Sequence, residues 1–258
     1  MNYNYHTHTY LCSHATGTME EYIKRAIDGG IKYMGFSEHA PFAFPDGFES
    51  WYRLQLKDVE TYFEEANRLR DKYKDLIDIK IGFELEYYPK YFEEMLKNAK
   101  NFGAEYVILG QHFINQSDEA HDGTYITAKM TETDEIKEYV SCVIKAIESG
   151  VFSYVAHPDI FNFAGDINLY NDEMSKICVA SKEKNVPLEI NFYGIRDKRR
   201  YPDNRFLELA GMIKCPMTFG FDSHDIESAF DGDSLKKAEM LVEEFGLNYI
   251  GKPEIKSL

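Results

Sequence analysis

Several things are scarce in this sequence, and each shortage removes a class of answer. Its 258 residues hold four cysteines (Cys12, Cys142, Cys178, Cys215), none in a CxxC pair, so neither a disulfide framework nor a zinc ribbon is indicated. Cys142 and Cys178 lie in apolar helical contexts and read as core, whereas Cys12 sits inside a histidine-rich loop within reach of any metal there. No apolar run reaches the roughly 18 residues of a membrane span, and the first residues, MNYNYHTHTY, contain no signal-peptide core. A cytoplasmic protein with no membrane partner is therefore expected. Basic residues number 29 against 44 acidic ones, and the net charge of −15 argues against nucleic acid, whose phosphates call for Lys and Arg. No linker, low-complexity tract or repeat interrupts the chain, and no GxGxxG follows a strand to announce a dinucleotide fold. The length allows one barrel-type domain or two ordinary ones, and the oligomeric state is left open.

What the chain does contain is a recurrent strand followed by a helix. Apolar or alternating runs predict strands at 3–8, 33–38, 79–85, 105–111, 153–157, 187–191 and 216–222. Helices are expected at 19–29, 57–74, 89–101, 132–149, 170–184, 203–213 and 234–245, the first capped by Thr18 and ended by Gly29-Gly30. Strict alternation implies an α/β fold with a parallel sheet, open or closed; we take it as a distorted seven-unit TIM-barrel-like (β/α) barrel, a single domain over 1–258. Segments 40–56 and 114–131 are longer than barrel loops need and read as lids or binding loops.

Potential metal ligands collect at the strand ends. The first strand ends in His6-Thr7-His8 with His14 in the following loop, and the second ends in Glu38-His39. The third carries Glu84, the fourth runs into His112, the fifth into His157, and the last into Asp222-Ser223-His224. Seven of the eight histidines thus fall on the face where barrel enzymes gather their catalytic groups. Residues i and i+2 of a strand point the same way, so His6 and His8 can share one ion, and a carboxylate such as Glu84 can bridge two. A single buried histidine is more often a hydrogen-bonded core residue, but seven at strand ends with two acids fit that explanation poorly. His121, in the polar loop after the fourth strand, breaks the pattern and reads as solvated. Histidine with carboxylate suits Zn, Mn or Fe.

A basic run, RDKRR at 196–200, follows the sixth strand. For Lys198, Arg199 and Arg200 a solvated face is the simplest reading, whereas Arg196 lies close enough to the barrel mouth to fork around a phosphate.

Taken together, HTHTYLCSH at 6–14, SEH at 37–39, GFELEY at 82–87, GQH at 110–112, AHPD at 156–159 and DSH at 222–224 resemble the polymerase and histidinol phosphatase superfamily. The segment EINFYGIRDKRRYP at 189–202 is similar to its histidinol-phosphate phosphatase branch. Amidohydrolase barrels also begin with HxH, but they need a lysine for carbamylation on a middle strand, where this chain has Glu84 and His112.

The resemblance implies a distorted seven-unit barrel with three divalent ions. The first would be held by His6, His8, Glu84 and Asp222, the second by Glu84, His112 and His157, and the third by His14, His39 and His224. It also implies hydrolysis of a small phosphorylated metabolite, with L-histidinol phosphate as the expected substrate. Water acidified by the cations would attack phosphorus, and Asp222 or a cation-bound water would protonate the leaving group. Asp222, His224 and Arg196 are the candidates for catalysis; Arg196, Arg199 and His39 are those for substrate contact. Aromatic residues of 42–52 either wall the leaving-group pocket or plug the space beneath their loop. The competing readings are a relative acting on another metabolite or a nucleotide, and a non-catalytic metal-stabilised module.

Overall fold

The computed structural model describes residues 1–114 and 121–258. Four parallel strands, β1 (Tyr3–Asn4), β2 (Tyr33–His39), β3 (Asp78–Leu85) and β4 (Tyr106–Leu109), pair in chain order. A short antiparallel pair follows, β5 (Phe113–Ile114) with β6 (Thr124–Tyr125), at and within the segment 114–131 expected to be a loop; residues 115–120 of that segment lie outside the described residues. Strands β7 (Leu188–Asn191), β8 (Pro216–Gly220) and β9 (Asn248–Tyr249) form a second parallel set. Val155 bridges both Leu109 and Leu188, and Thr7 bridges Ser223, so the parallel sheet curls until its ends are linked.

The expected strand at 153–157 makes only these single bridges. Its backbone leaves the extended region at His157, whose φ is +30°, and Pro158 follows. The crossover helices are α1 (Met19–Asp28), α2 (Val59–Tyr73), α3 (Phe92–Phe102), α4 (Thr133–Ser149), α5 (Ile167–Lys184), α7 (Asn204–Ile213) and α8 (Gly232–Glu244), with a five-residue α6 (Phe192–Arg196) directly after β7. That short helix replaces an expected loop because Asn191 caps it, accepting from the Gly194 amide. Helix α1 begins on a full capping box between Thr18 and Glu21, and α5 starts three residues earlier than expected because Asp166 accepts from the Asn168 and Leu169 amides. No described helix is long and apolar enough to cross a membrane.

Both faces of the strands are covered, which explains their near-continuous apolar runs. Met34, Phe36, Ile79, Ile81, Phe83, Val107 and Leu109 join the main core under the helices. Tyr106 and Ile108, alternate residues of β4, instead meet Tyr3, Tyr5, Tyr154 and Ala156 in a second cluster inside the curl. The Tyr106 hydroxyl is satisfied there by the carbonyls of Tyr5 (2.9 Å) and Phe36 (3.2 Å). That packed floor leaves the C-terminal strand ends as the place for a cleft.

Candidate metal centre

Two backbone segments far apart in sequence are zipped together at the strand ends. The His8 amide donates to the Ser223 carbonyl at 3.0 Å, and the Ser223 amide to the His6 carbonyl at 3.2 Å. Asn4 adds a pin, since its Oδ1 accepts from the amides of both His6 and Phe221 at 3.1 Å. HxH and DSH therefore face one another. The β2–β3 register puts His39 directly beside Glu84. Asp222 has φ +47° and His157 φ +30°, left-handed values costly for such residues, and both turn their side chains into the shared cavity.

Glu84 sits at the middle of the cluster. Its Oε1 lies 3.0 Å from His157 Nε2, 3.6 Å from His112 Nε2 and 3.7 Å from His6 Nε2. Its Oε2 lies 3.1 Å from His39 Nδ1 and 3.4 Å from His8 Nε2. Asp222 Oδ1 is 3.5 Å from His6 Nε2, 3.4 Å from His8 Nε2 and 3.3 Å from His224 Nδ1. Glycine makes the space: a Cβ at Gly110 would collide with the Glu84 carboxylate, and one at Gly220 with that of Glu189.

Three further carboxylates stand behind the ring of ligand atoms. Glu189 Oε1 faces His6 Nδ1 at 2.9 Å, Glu38 Oε2 faces His8 Nδ1 at 3.3 Å, and Glu86 Oε1 faces His112 Nδ1 at 3.1 Å. Each makes Nδ1 the donor and frees Nε2 for a cation. The sequence reading gave Glu86 and Glu189 no role and counted Glu38 only among potential ligands. The available signal was an acid inside an apolar strand, as in LEIN at 188–191, because a buried charge needs a partner.

Among the described residues, His6 Nε2, His8 Nε2, His39 Nδ1, Glu84 Oε2 and Asp222 Oδ1 are buried without a hydrogen-bond partner. Five orphaned polar atoms converging on one spot are otherwise unexplained, since buried polar groups are almost always satisfied. Divalent cations fit this donor set. Groups of three ligand atoms within 4.8 Å of one another are formed by His6, His8 and Asp222, by His6, Glu84 and His157, by His8, His39 and His224, and by Cys12, His14 and His224. Seven of the nine expected positions line one cleft and His6 and His8 lie buried beneath it, but His14 stands with Cys12 and His224, while His39 stands with His8 and His224.

The electrostatics are those of a site built for positive charge. Burial disfavours charge on Glu84 and Asp222, yet the surrounding histidines hold both carboxyls well below their ordinary range. Burial likewise opposes protonation of His6, but Glu189, Asp222 and Glu84 together hold it well above its usual value. His39 is held well below its usual value by burial and then by His8.

Over the cluster opens a cavity of about 420 Å³ walled by Trp51, Tyr52, Phe113, Tyr125, Tyr193 and Tyr201, with Arg199 at its edge. The Arg199 guanidinium lies 4.0 Å from the Tyr193 ring centre and donates to its hydroxyl at 2.6 Å. Arg196 is not brought into the cleft. It turns away to Asp231 (3.2 Å) and to the Asp222 carbonyl (3.4 Å); α6 ends at Arg196, and the chain turns at Lys198, whose φ is +52°, before it reaches Arg199. The aromatic residues of 42–52 divide: Phe42 and Phe44 are buried plugs, Tyr52 is a wall of the cleft, and Trp51 is a rim residue, 69% exposed. His121 is not merely solvated, since it pairs with Asp46 at 2.8 Å and stacks on Phe48 at 3.8 Å.

The sequence pattern of the PHP domain matches residues 4–192. A histidinol-phosphatase of Lactococcus lactis is 28% identical, the match covering 95% of this chain and 91% of that one. A probable histidinol-phosphatase of Deinococcus radiodurans is 26% identical over 85% of each chain. In three dimensions, the crystal structure of the Lactococcus lactis histidinol phosphate phosphatase, solved with zinc, L-histidinol and phosphate, superposes with a TM-score of 0.72 at 24% identity, covering 100% of this chain and 98% of that one.

Proposed function

This chain belongs to the PHP domain family, and from that premise we propose that it is a metal-dependent phosphomonoesterase hydrolysing L-histidinol phosphate to L-histidinol and phosphate. The observation that carries the reading is the convergence of orphaned histidine and carboxylate atoms at the floor of a cavity with aromatic walls and an arginine at its edge. Residues 1–258 act as a single domain, a barrel of seven strand positions in which 153–157 supplies the fifth.

The donor set would hold three divalent ions, and Zn, Mn or Fe suit it. His6, His8, Glu84 and Asp222 would serve the first, Glu84, His112 and His157 the second, and His14, His39 and His224 the third. When bound, such cations supply concentrated positive charge that draws in a phosphoryl group and acidifies water.

The chain's own residues do the rest. Arg199 holds a phosphoryl oxygen with its planar fork, in the role the sequence suggested for Arg196. Water's oxygen forms the new bond to phosphorus as the ester P–O bond breaks, and the proton that the water gives up ends on the departing alkoxide. Asp222, an ionised carboxylate at the meeting of cluster and cavity, carries that proton across, and His224, its Nδ1 3.3 Å from Asp222 Oδ1, orients it. Tyr52, Phe113 and Tyr125 pack an aromatic leaving group and exclude water around it.

The test is phosphate release by metal-loaded protein from L-histidinol phosphate beside a panel of nucleotides and sugar phosphates. Preference for L-histidinol phosphate is expected. Preference for another ester moves the substrate elsewhere within the family, and hydrolysis of none of them leaves a metal-stabilised module.

A further inference from the structure

Behind one wall of the cleft lies a buried cation that the chemistry above does not use. Arg53, 1% exposed, comes from the long loop after β2. Its Nη1 donates to Glu86 Oε2 at 2.5 Å and its Nη2 to Asp122 Oδ1 at 2.8 Å. The carbonyl of Ala40 and the hydroxyl of Tyr88 lie 3.3 Å away, while its Nε has no partner. The guanidinium thus joins three separate segments: the loop after β2, the end of β3 and the loop bearing Asp122.

Both carboxylates continue into the site. The other oxygen of Glu86 faces His112 Nδ1 at 3.1 Å and accepts from the Tyr52 hydroxyl, also at 3.1 Å. That hydroxyl lies 3.2 Å from Asp122 Oδ1, and the Tyr52 ring stands edge-on to His39, with centres 5.3 Å apart. A buried ion pair is a poor source of net stability, because well-packed apolar side chains serve as well. What a two-carboxylate clamp on a planar fork does supply is fixed geometry, and a lysine ammonium cannot reproduce its fork.

We propose that Arg53 is a positioning residue: by clamping Glu86 and Asp122 it fixes the ring of His112 for its cation and the ring of Tyr52 as the leaving-group wall. Metal arm and substrate wall are then set together by one buried side chain. The inference rests on reading His112 as a metal ligand. Removing Arg53 frees Glu86 to swing, so His112 loses orientation and Tyr52 loses the partner that holds its hydroxyl.

The experiment compares wild type with Arg53→Met, Arg53→Lys and Glu86→Gln. Cation affinity is measured by chelator competition, and KM and kcat for L-histidinol phosphate are measured well below each variant's Tm. Arg53→Met is expected to weaken cation binding about ten- to a hundredfold and to raise KM, with Arg53→Lys recovering part of both. Glu86→Gln should reproduce the loss of cation affinity with Arg53 in place. It and Arg53→Lys keep the measurement available if Arg53→Met does not fold. A lowered Tm with unchanged affinity and KM across the folded variants would make Arg53 a structural staple and overturn the inference alone. Wild type that binds no cation overturns the reading of the centre and this inference with it.

Discussion

The Nε2 atoms of His14 and His224 stand 3.1 Å apart, although each ring already gives its Nδ1 hydrogen to a backbone carbonyl, Cys12 at 2.7 Å and Asp222 at 3.2 Å. A carbonyl only accepts, so in the neutral rings two Nε2 lone pairs confront each other. Protonation does not relieve this. Burial first, and then the neighbouring histidines, pushes His14 down to about 4, and burial also lowers His224. A cation between them does relieve it. Exhaustive chelation should therefore lower Tm by roughly 10 °C relative to protein holding cation at a thousandfold excess over Kd, with Zn or Mn restoring it in calorimetry. An unchanged Tm would count against a cation at this pair.

Glu189→Gln keeps shape but removes the charge that faces His6 Nδ1 at 2.9 Å in a fully buried pair. Cation affinity is expected to fall about ten- to a hundredfold with the fold retained, as chelator competition and circular dichroism would report. Glu38→Gln should do the same through His8.

At Gly110 a single methyl group is enough. The Glu84 carboxylate fills the space of the missing Cβ and, at 1% exposure, cannot retreat to solvent. Gly110→Ala should displace it by about an ångström and cost on the order of a hundredfold in kcat/KM. Full activity in a folded Gly110→Ala variant would mean that Glu84 is not central.

The two arginines should separate cleanly in steady-state kinetics. Arg199→Ala is expected to raise KM for a phosphate monoester roughly ten- to a hundredfold, the worth of a charged hydrogen bond. Arg196→Ala, losing Asp231, a carbonyl and a 5.3 Å contact with the Tyr193 ring but nothing inside the cleft, should leave KM within about twofold. The reverse ranking would return the phosphate contact to Arg196.

Acid should loosen the clamp around Arg53 from the Asp122 side. Burial opposes its ionisation, but Arg53, Ser50 and Tyr88 hold the Asp122 carboxyl below its ordinary value. A carboxyl depressed in the folded state adds stability at pH above its unfolded value and loses it as pH falls through the folded one. Wild type should therefore be more stable than Asp122→Asn near neutrality, with the two Tm curves converging in acid below about pH 4. A constant gap at all pH values would show that charge is not what Asp122 contributes.

The sequence alone determined much of this protein. The strand-helix alternation and the placement of His6, His8, Glu84, His157 and Asp222 at strand ends follow from periodicity and residue type, which are local properties, and the resemblance of short motifs pointed to the family. Tertiary structure decided the rest, because it depends on which way a side chain turns after its strand has ended. Arg196 and Arg199 are three residues apart, and only the end of the short helix at Arg196 and the left-handed turn at Lys198 decide which of them enters the cleft. Glu38, Glu86 and Glu189 look like isolated acids until the sheet curls and sets each against the Nδ1 of a histidine from another strand. The clamp of Arg53 on Asp122 joins residues 69 apart in sequence, and no pattern within either segment foretells the other.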